Sequence, residues 1–204
     1  MQQVRVWDIF VRLFHWSLVL SFALAYLTGE GDLETLHAWS GYFIAVLITL
    51  RFVWGIIGTK YARFSNFIYR PSTIKSYLKS LFSRHPKHYL GHNPAGGAMV
   101  IVMLLVLALV SWTGLETYAA EGKGPLAGIS LEITYAHADD GESGDWNRGS
   151  GDFWEELHEF AANLMLLLIF VHIAGVLLST VLHGENLIRA MITGRKEIQK
   201  EKRR

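Results

Sequence analysis

The stretch EELHEFAANLMLLLIFVHIAGVLLS, residues Glu155–Ser179, decides the fold. It contains an apolar run long enough to cross a lipid bilayer, which takes about 20 residues. Backbone groups in lipid must satisfy their own hydrogen bonds, so we expect this run to be a helix. The run includes His158 and His172. An ionisable side chain inside a membrane span is costly, so each of these histidines is a candidate functional residue.

Three more segments have the same apolar character, and together they predict an all-α membrane protein, a four-transmembrane-helix bundle. The predicted spans are about residues 13–28, 36–57, 98–118 and 157–182, with connections at 59–95 and 119–156. We treat residues 1–204 as one membrane domain. We interpret the first span as retained, since Trp7, Asp8 and Phe10 make a poor start for a cleaved signal peptide.

The composition narrows the choice of cofactor. Hydrophobic residues make up 51% of the 204 residues and charged residues only 18%, below the roughly 25% of soluble domains. The absence of cysteine excludes disulfides, thiolate zinc sites, iron–sulfur clusters, covalently attached haem and cysteine nucleophiles. Any cofactor must therefore be held by His, Met, carboxylate or backbone groups. The net charge of +1 gives no sign of a nucleic-acid partner.

Charge segregation along the chain predicts the topology. The connection at 59–95 has seven basic residues and no acidic one, and the tail after His183 has seven basic residues and three acidic ones. The connection at 119–156 instead has nine acidic residues and two basic ones. The positive-inside rule therefore predicts a multi-pass membrane protein with both termini and the 59–95 loop in the cytoplasm and 119–156 on the outer side.

Four histidines lie in or at the edges of the spans: His15, His37, His158 and His172. The two in the fourth span are fourteen residues apart, which corresponds to a rise of about 21 Å and a rotation within about 40° of whole turns. His158 and His172 are therefore expected to face the same way at different depths. The topology places His37 at the depth of His158 and His15 at the depth of His172.

Two neutral imidazoles from different helices at one level suit the two axial positions of a haem iron. Without cysteine such a haem is b-type, and two of them would form an electron path through the membrane. Zinc fits less well, because it takes three or four clustered ligands. A single histidine in or near a span is as readily an interfacial side chain as a haem ligand. The haem interpretation therefore depends on the matched depths of the two histidine pairs.

Other basic side chains carry weaker signals. His85, His88 and His92 have metal-like spacing, but neighbouring Pro and Gly residues favour a solvated or membrane-surface role. Arg12 and Arg51 lie near the inner level, where pairing with haem propionates and snorkelling to head groups both stay open.

Several stretches together resemble the bacterial cytochrome b561 and nickel–iron hydrogenase cytochrome b-subunit family. They are VRVWDIFVRLFHWSL (Val4–Leu18), GHNPAGGAM (Gly91–Met99), the stretch at Glu155–Ser179 and HGENLIRAMITGRK (His183–Lys196). The resemblance implies a four-helix cytochrome of the bacterial cytoplasmic (inner) membrane, with 119–156 in the periplasm and two haems b. Such a protein passes electrons between the quinone pool and a redox partner. By position it implies four iron ligands, paired as His15 with His172 and His37 with His158.

The leading hypothesis is therefore transmembrane electron transfer between quinone or quinol and a periplasmic electron-transfer protein such as a cytochrome c. An alternative is the membrane cytochrome b subunit of a nickel–iron hydrogenase. A third, of another class, is a histidine-dependent transporter without haem, which would be colourless. We assign no catalytic residue, and a quinone-linked oxidoreductase activity and a homodimer both stay open. The lipid bilayer is the remaining expected partner.

Overall fold

The structure is a computed structural model that describes residues 2–81, 89–128 and 146–198. Four long helices dominate it. In chain order the elements are β1 (Gln2–Arg5), α1 (Ile9–Thr28), α2 (Glu34–Ile57), a 3-10 turn (Phe64–Asn66), α3 (Pro71–Ser80), α4 (Pro94–Ala120), α5 (Trp146–His183), α6 (Leu187–Thr193) and β2 (Arg195–Ile198).

Helices α1, α2, α4 and α5 are each long and apolar enough to cross a membrane. The predicted all-α membrane bundle is therefore confirmed. Each helix begins ahead of its predicted apolar span. Polar side chains cap two of them: the Asp8 carboxylate accepts from the Val11 N–H at the start of α1, and the Asn93 side chain accepts from the Gly96 N–H at the start of α4. With 38 residues α5 is about 57 Å long, so it extends well beyond the hydrocarbon core of about 30 Å.

The bundle is assembled from two helix pairs. Helix α1 packs along α2, α4 packs along α5, and contacts between α2 and α4 join the pairs. The central core contains buried residues from all four helices: Phe22, Ala25, Ile44, Ile48, Leu107 and Met165. Large apolar side chains also point outward, such as Leu27 and Val181, which are 79% and 80% exposed. An apolar exterior of this kind suits a surface that faces lipid.

Both chain termini lie at one end of the bundle, which we call the terminal end. Strand β1 pairs antiparallel with β2, with Val4 opposite Lys196. The N–H groups of Val6 and Trp7 donate to the Gly194 carbonyl at 2.9 and 3.1 Å. Gly194 ends α6 with φ of 79°, a left-handed conformation that glycine adopts without steric cost.

The opposite end, which we call the distal end, contains residues 29–33 and 121–128. The Lys123 ammonium joins the two connections there, at 2.6 Å from a Glu34 oxygen and 3.0 Å from a Glu121 oxygen. These contacts raise the pKa of Lys123 above its ordinary value. The pair is exposed, so we expect little stabilisation from it.

Asp8 connects three parts of the terminal end. Its Oδ1 accepts the Val11 N–H at 2.8 Å, and its Oδ2 accepts the Trp54 indole N–H at 3.1 Å and the Thr59 hydroxyl. Burial raises the pKa of this carboxyl, but the hydrogen bonds from Thr59, Val11 and Trp54 outweigh it and leave the pKa below its ordinary value. The ionised form of Asp8 is therefore the one that the fold stabilises.

We expect Asp8→Asn to lower the free energy of unfolding at pH 7 by about 1–3 kcal/mol, because an amide NH₂ would then meet the two donors at Oδ2. The folded pKa is depressed, so this contribution is present above the unfolded pKa and is lost as the pH falls through the folded pKa. Thermal unfolding in detergent across pH 3–7 measures it. Asp32→Asn, in the exposed turn, is the matched control. An equal loss in both variants, or a loss in Asp8→Asn that persists undiminished in acid, would contradict this role.

Candidate functional site

His37 on α2 and His158 on α5 face each other near the distal end of the bundle. Their ring centres are 6.0 Å apart and the ring planes are nearly perpendicular, at 87°. Both side chains are half-buried. We call this pair the distal pair.

The backbone fixes the tautomer of both rings. His37 Nδ1 is 2.9 Å from the Ala25 carbonyl oxygen, and His158 Nδ1 is 3.0 Å from the Val110 carbonyl oxygen. A carbonyl oxygen only accepts, so each Nδ1 carries the proton and donates it. Each Nε2 therefore has a free lone pair, the arrangement that metal-binding histidines have when a carbonyl orients them. The Thr113 hydroxyl oxygen lies 3.1 Å from His158 Nδ1 and holds the ring further.

A cavity of about 110 Å³ adjoins the distal pair. Small residues form much of its wall, namely Ala25, Ala38, Gly41, Ser111, Gly114 and Ala162. At Gly114 the helix backbone approaches His158 so closely that an added Cβ would lie 2.9 Å from the ring. Small side chains of this kind let a flat, apolar group lie between helices.

The distal pair fits the axial positions of one haem iron. A metal–imidazole bond is about 2.0 Å long, so two nitrogens on opposite sides of one metal are about 4 Å apart, and the ring centres are further apart by one ring radius on each side. The 6.0 Å between the ring centres of His37 and His158 agrees with this geometry. Within the described part of the chain no group of three or more His, Cys, Asp or Glu side chains is arranged to hold a metal ion.

His15 on α1 and His172 on α5 form a second pair, the terminal pair, closer to the chain termini. The two side chains interact electrostatically, so they share one region of the bundle interior. His15 Nδ1 is buried and has no hydrogen-bond partner in the structure. His15 therefore differs from the two distal rings, whose Nδ1 atoms each donate to a carbonyl oxygen. The structure thus places His37 and His158 face to face and His15 and His172 in one region of the bundle, and the role of all four as iron ligands stays a prediction.

Of the two roles predicted for His92, the solvated one is wrong, because the side chain is half-buried, and the membrane-surface one stays a prediction. Its ring packs between Trp7 and Phe67, with ring centres 4.6 and 4.5 Å away, and its Nδ1 is buried without a partner. Burial, followed by the positive charges of Arg51 and Lys196, lowers the pKa of His92 to about 3. The imidazole is therefore neutral near pH 7. His85 and His88 lie outside the described residues.

The sequence identified Arg51 as a candidate residue but did not reveal which residues surround it. The side chain is only 3% exposed, so it does not snorkel to the membrane surface. Its Nη2 donates to the Ala62 carbonyl at 3.1 Å, and its guanidinium lies 5.0 Å from the centre of the Phe64 ring. The signal that sequence analysis could have used is its spacing of fourteen residues from His37, which equals the spacing of His158 and His172.

Comparisons with known proteins identify a family and several similar chains. The family model described as prokaryotic cytochrome b561 matches residues 6–194. A probable Ni/Fe-hydrogenase B-type cytochrome subunit from Rhizobium leguminosarum bv. viciae is 25% identical, over 95% of this chain and 88% of its own length. Similar subunits from Azotobacter vinelandii and Escherichia coli (strain K12) are 24% and 22% identical, over 94% and 90% of this chain and 87% and 86% of their own lengths. No solved structure matches the chain.

We expect Gly114→Val to disrupt the distal site selectively. The new side chain would push the His158 ring away from the Val110 carbonyl and from His37, because a single Cβ already comes within 2.9 Å of the ring. Haem per chain, measured on purified protein, should fall by about half. Gly175→Ala adds a methyl group on α5 where nothing lies within 4 Å, and should leave the distal site intact. Full haem content in Gly114→Val would contradict the assignment.

Proposed function

Because the chain belongs to the prokaryotic cytochrome b561 family, we propose that it carries electrons across a bacterial cytoplasmic membrane through two haems b. It is a membrane cytochrome b, with the four apolar helices that this requires. The observation that carries the proposal is the distal pair, in which two imidazoles from different helices face each other with both Nδ1 protons donated to carbonyl oxygens.

Each histidine pair would hold one haem: His37 with His158 at the distal end, and His15 with His172 nearer the termini. Haem b, when bound, supplies an iron that accepts and releases one electron at a time. The protein orients the imidazoles, keeps them neutral and excludes water. The fourteen residues between His158 and His172 separate the two levels by about 21 Å along α5. The two haems would therefore divide the path of an electron across the membrane into shorter transfers.

The charge pattern supports an orientation. The terminal end contains the described basic residues Lys60, Arg63, Arg195 and Lys196, whereas the distal end contains Glu34 and Glu121. By the positive-inside rule the terminal end would face the cytoplasm and the distal end the periplasm. Electrons would then pass between the quinone pool, near the terminal pair, and a periplasmic partner at the distal end.

The relatives favour a hydrogenase as that partner. Those named above are all described as Ni/Fe-hydrogenase cytochrome subunits, and they match over most of both chains. A soluble cytochrome c is the second candidate, because an acidic docking surface attracts a basic protein. Much of the acidic connection that would form this surface lies outside the described residues.

Two single substitutions test the pairing. We expect His172→Ala to remove the haem of the terminal pair and to spare most of the other, because each ligand serves one iron. His37→Ala should have the converse effect. Redox titration of the reduced-minus-oxidised spectrum separates the two haems by their midpoint potentials. The amount of haem per chain shows how many of them each variant retains. Equal loss of both haems from a folded variant, or loss of neither, would refute the pairing.

The identity of the partner is tested in native membranes. We expect hydrogen gas to reduce this cytochrome in membranes that contain the hydrogenase, and not in membranes of a strain that lacks it. Reduction by added quinol, which should occur in both, is the control. If hydrogen leaves the cytochrome oxidised while a soluble cytochrome c exchanges electrons with it at a rate that falls with ionic strength, the partner is the cytochrome c.

A further inference from the structure

Arg51 lies on the same inward face of α2 as His37, closer to the terminal end. The two residues are fourteen positions apart, so Arg51 is about 21 Å further along the helix and within about 40° of the same face. The same spacing separates His158 from His172 on α5. Helices α2 and α5 therefore each have a histidine at the distal level, and at the other level they have Arg51 and His172 respectively.

The buried guanidinium of Arg51 has an unused donor. Its Nη2 bonds to the Ala62 carbonyl, but its Nη1 is buried and has no partner in the structure. Asp8 is close enough to interact electrostatically, yet its two oxygens already accept from Val11, Trp54 and Thr59. A buried cation whose donors are not all used is costly, so the arrangement indicates an acceptor that protein atoms do not provide.

A second unpartnered nitrogen lies nearby. The His92 ring contacts Phe67, which packs on Phe64, the ring beside the Arg51 guanidinium. His92 also interacts electrostatically with both Arg51 and His172. Its ring is fixed between Trp7 and Phe67, and its Nδ1 is buried without a partner. A neutral imidazole has one N–H to donate. In the tautomer with the proton on Nδ1, His92 would join Arg51 Nη1 as a second buried donor near the histidines that would hold one haem.

We propose that Arg51 Nη1 and His92 Nδ1 together bind a propionate carboxylate of the haem held by His15 and His172. The inference rests on the proposed function, because that haem supplies the carboxylate. A carboxylate has two oxygens and so accepts from both donors, and a charge-assisted bond to a guanidinium is strong. The phosphate of a lipid head group has similar chemistry, but Arg51 is 3% exposed and lies behind the Ala62 and Phe64 backbone segment. Arg51 is then a positioning residue for the haem.

The pairing has a consequence for the redox equilibrium. A propionate beside Arg51 stays ionised with its charge balanced. Without the guanidinium, a buried and unpaired carboxylate would favour the ferric state or take up a proton when the iron is reduced. The midpoint potential of this one haem would therefore fall and become dependent on pH, while that of the distal haem would not change.

Redox titration of the purified holoprotein tests this. We expect Arg51→Gln to shift the oxidised-to-reduced equilibrium of the terminal-pair haem at least tenfold, which is a fall of about 59 mV for one electron. Arg51→Lys keeps the charge and should restore most of the potential. His92→Phe keeps the stacking between Trp7 and Phe67 but removes the donor, and should shift the same equilibrium about threefold, which is a fall of about 28 mV. Arg63→Gln removes an exposed arginine from the same connection and is the matched control.

Each outcome either supports or overturns the inference that Arg51 and His92 bind a haem propionate. A fall confined to the terminal-pair haem in Arg51→Gln, reversed by Arg51→Lys, supports the inference. Potentials in Arg51→Gln and His92→Phe that equal those of Arg63→Gln overturn it while the two-haem proposal stands. A shift seen in anionic-lipid nanodiscs and absent in lipid-free detergent assigns the donors to a head group and also overturns it. A wild-type protein without a terminal-pair haem overturns both this inference and the proposed function.

Discussion

Two imidazole rings from different helices face each other 6.0 Å apart, and each donates its Nδ1 proton to a backbone carbonyl oxygen. The site depends on this contact. Because Val110 and Ala25 lie on α4 and α1, the hydrogen bonds of the two rings involve all four helices of the bundle. The fixed tautomer leaves both Nε2 lone pairs free, and this makes the pair suitable for an iron with two axial ligands.

Much of the fold could be predicted because lipid restricts the choices of the chain. Apolar segments of about 20 residues that must satisfy their own backbone become helices, and an even number of them brings the termini to one end. The periodicity of the helix also fixes which residues share a face, so the fourteen residues between His158 and His172 could be converted into a direction and a depth. The juxtaposition of the two pairs followed from that geometry together with the family resemblance.

What the sequence did not reveal depends on contacts between distant segments. His92 appeared to lie in a solvated loop, yet Trp7 from the start of the chain and Phe67 from another connection enclose it. Arg51 is buried because the chain after α2 folds back and places the Ala62 carbonyl and the Phe64 ring beside it. Strands β1 and β2 have four residues each and join opposite ends of the chain, so no local pattern indicates their pairing.

The two ends of the bundle differ in their side chains. The terminal end has the buried Arg51 guanidinium and the His92 ring, whereas the distal pair is bordered by small residues and Glu34. The most direct test of the account is the haem content and spin state of the purified wild-type protein. The account predicts two haems b per chain, both six-coordinate and low-spin in the ferric state. A protein that binds no haem, or whose haem iron is high-spin with an open axial position, would contradict it.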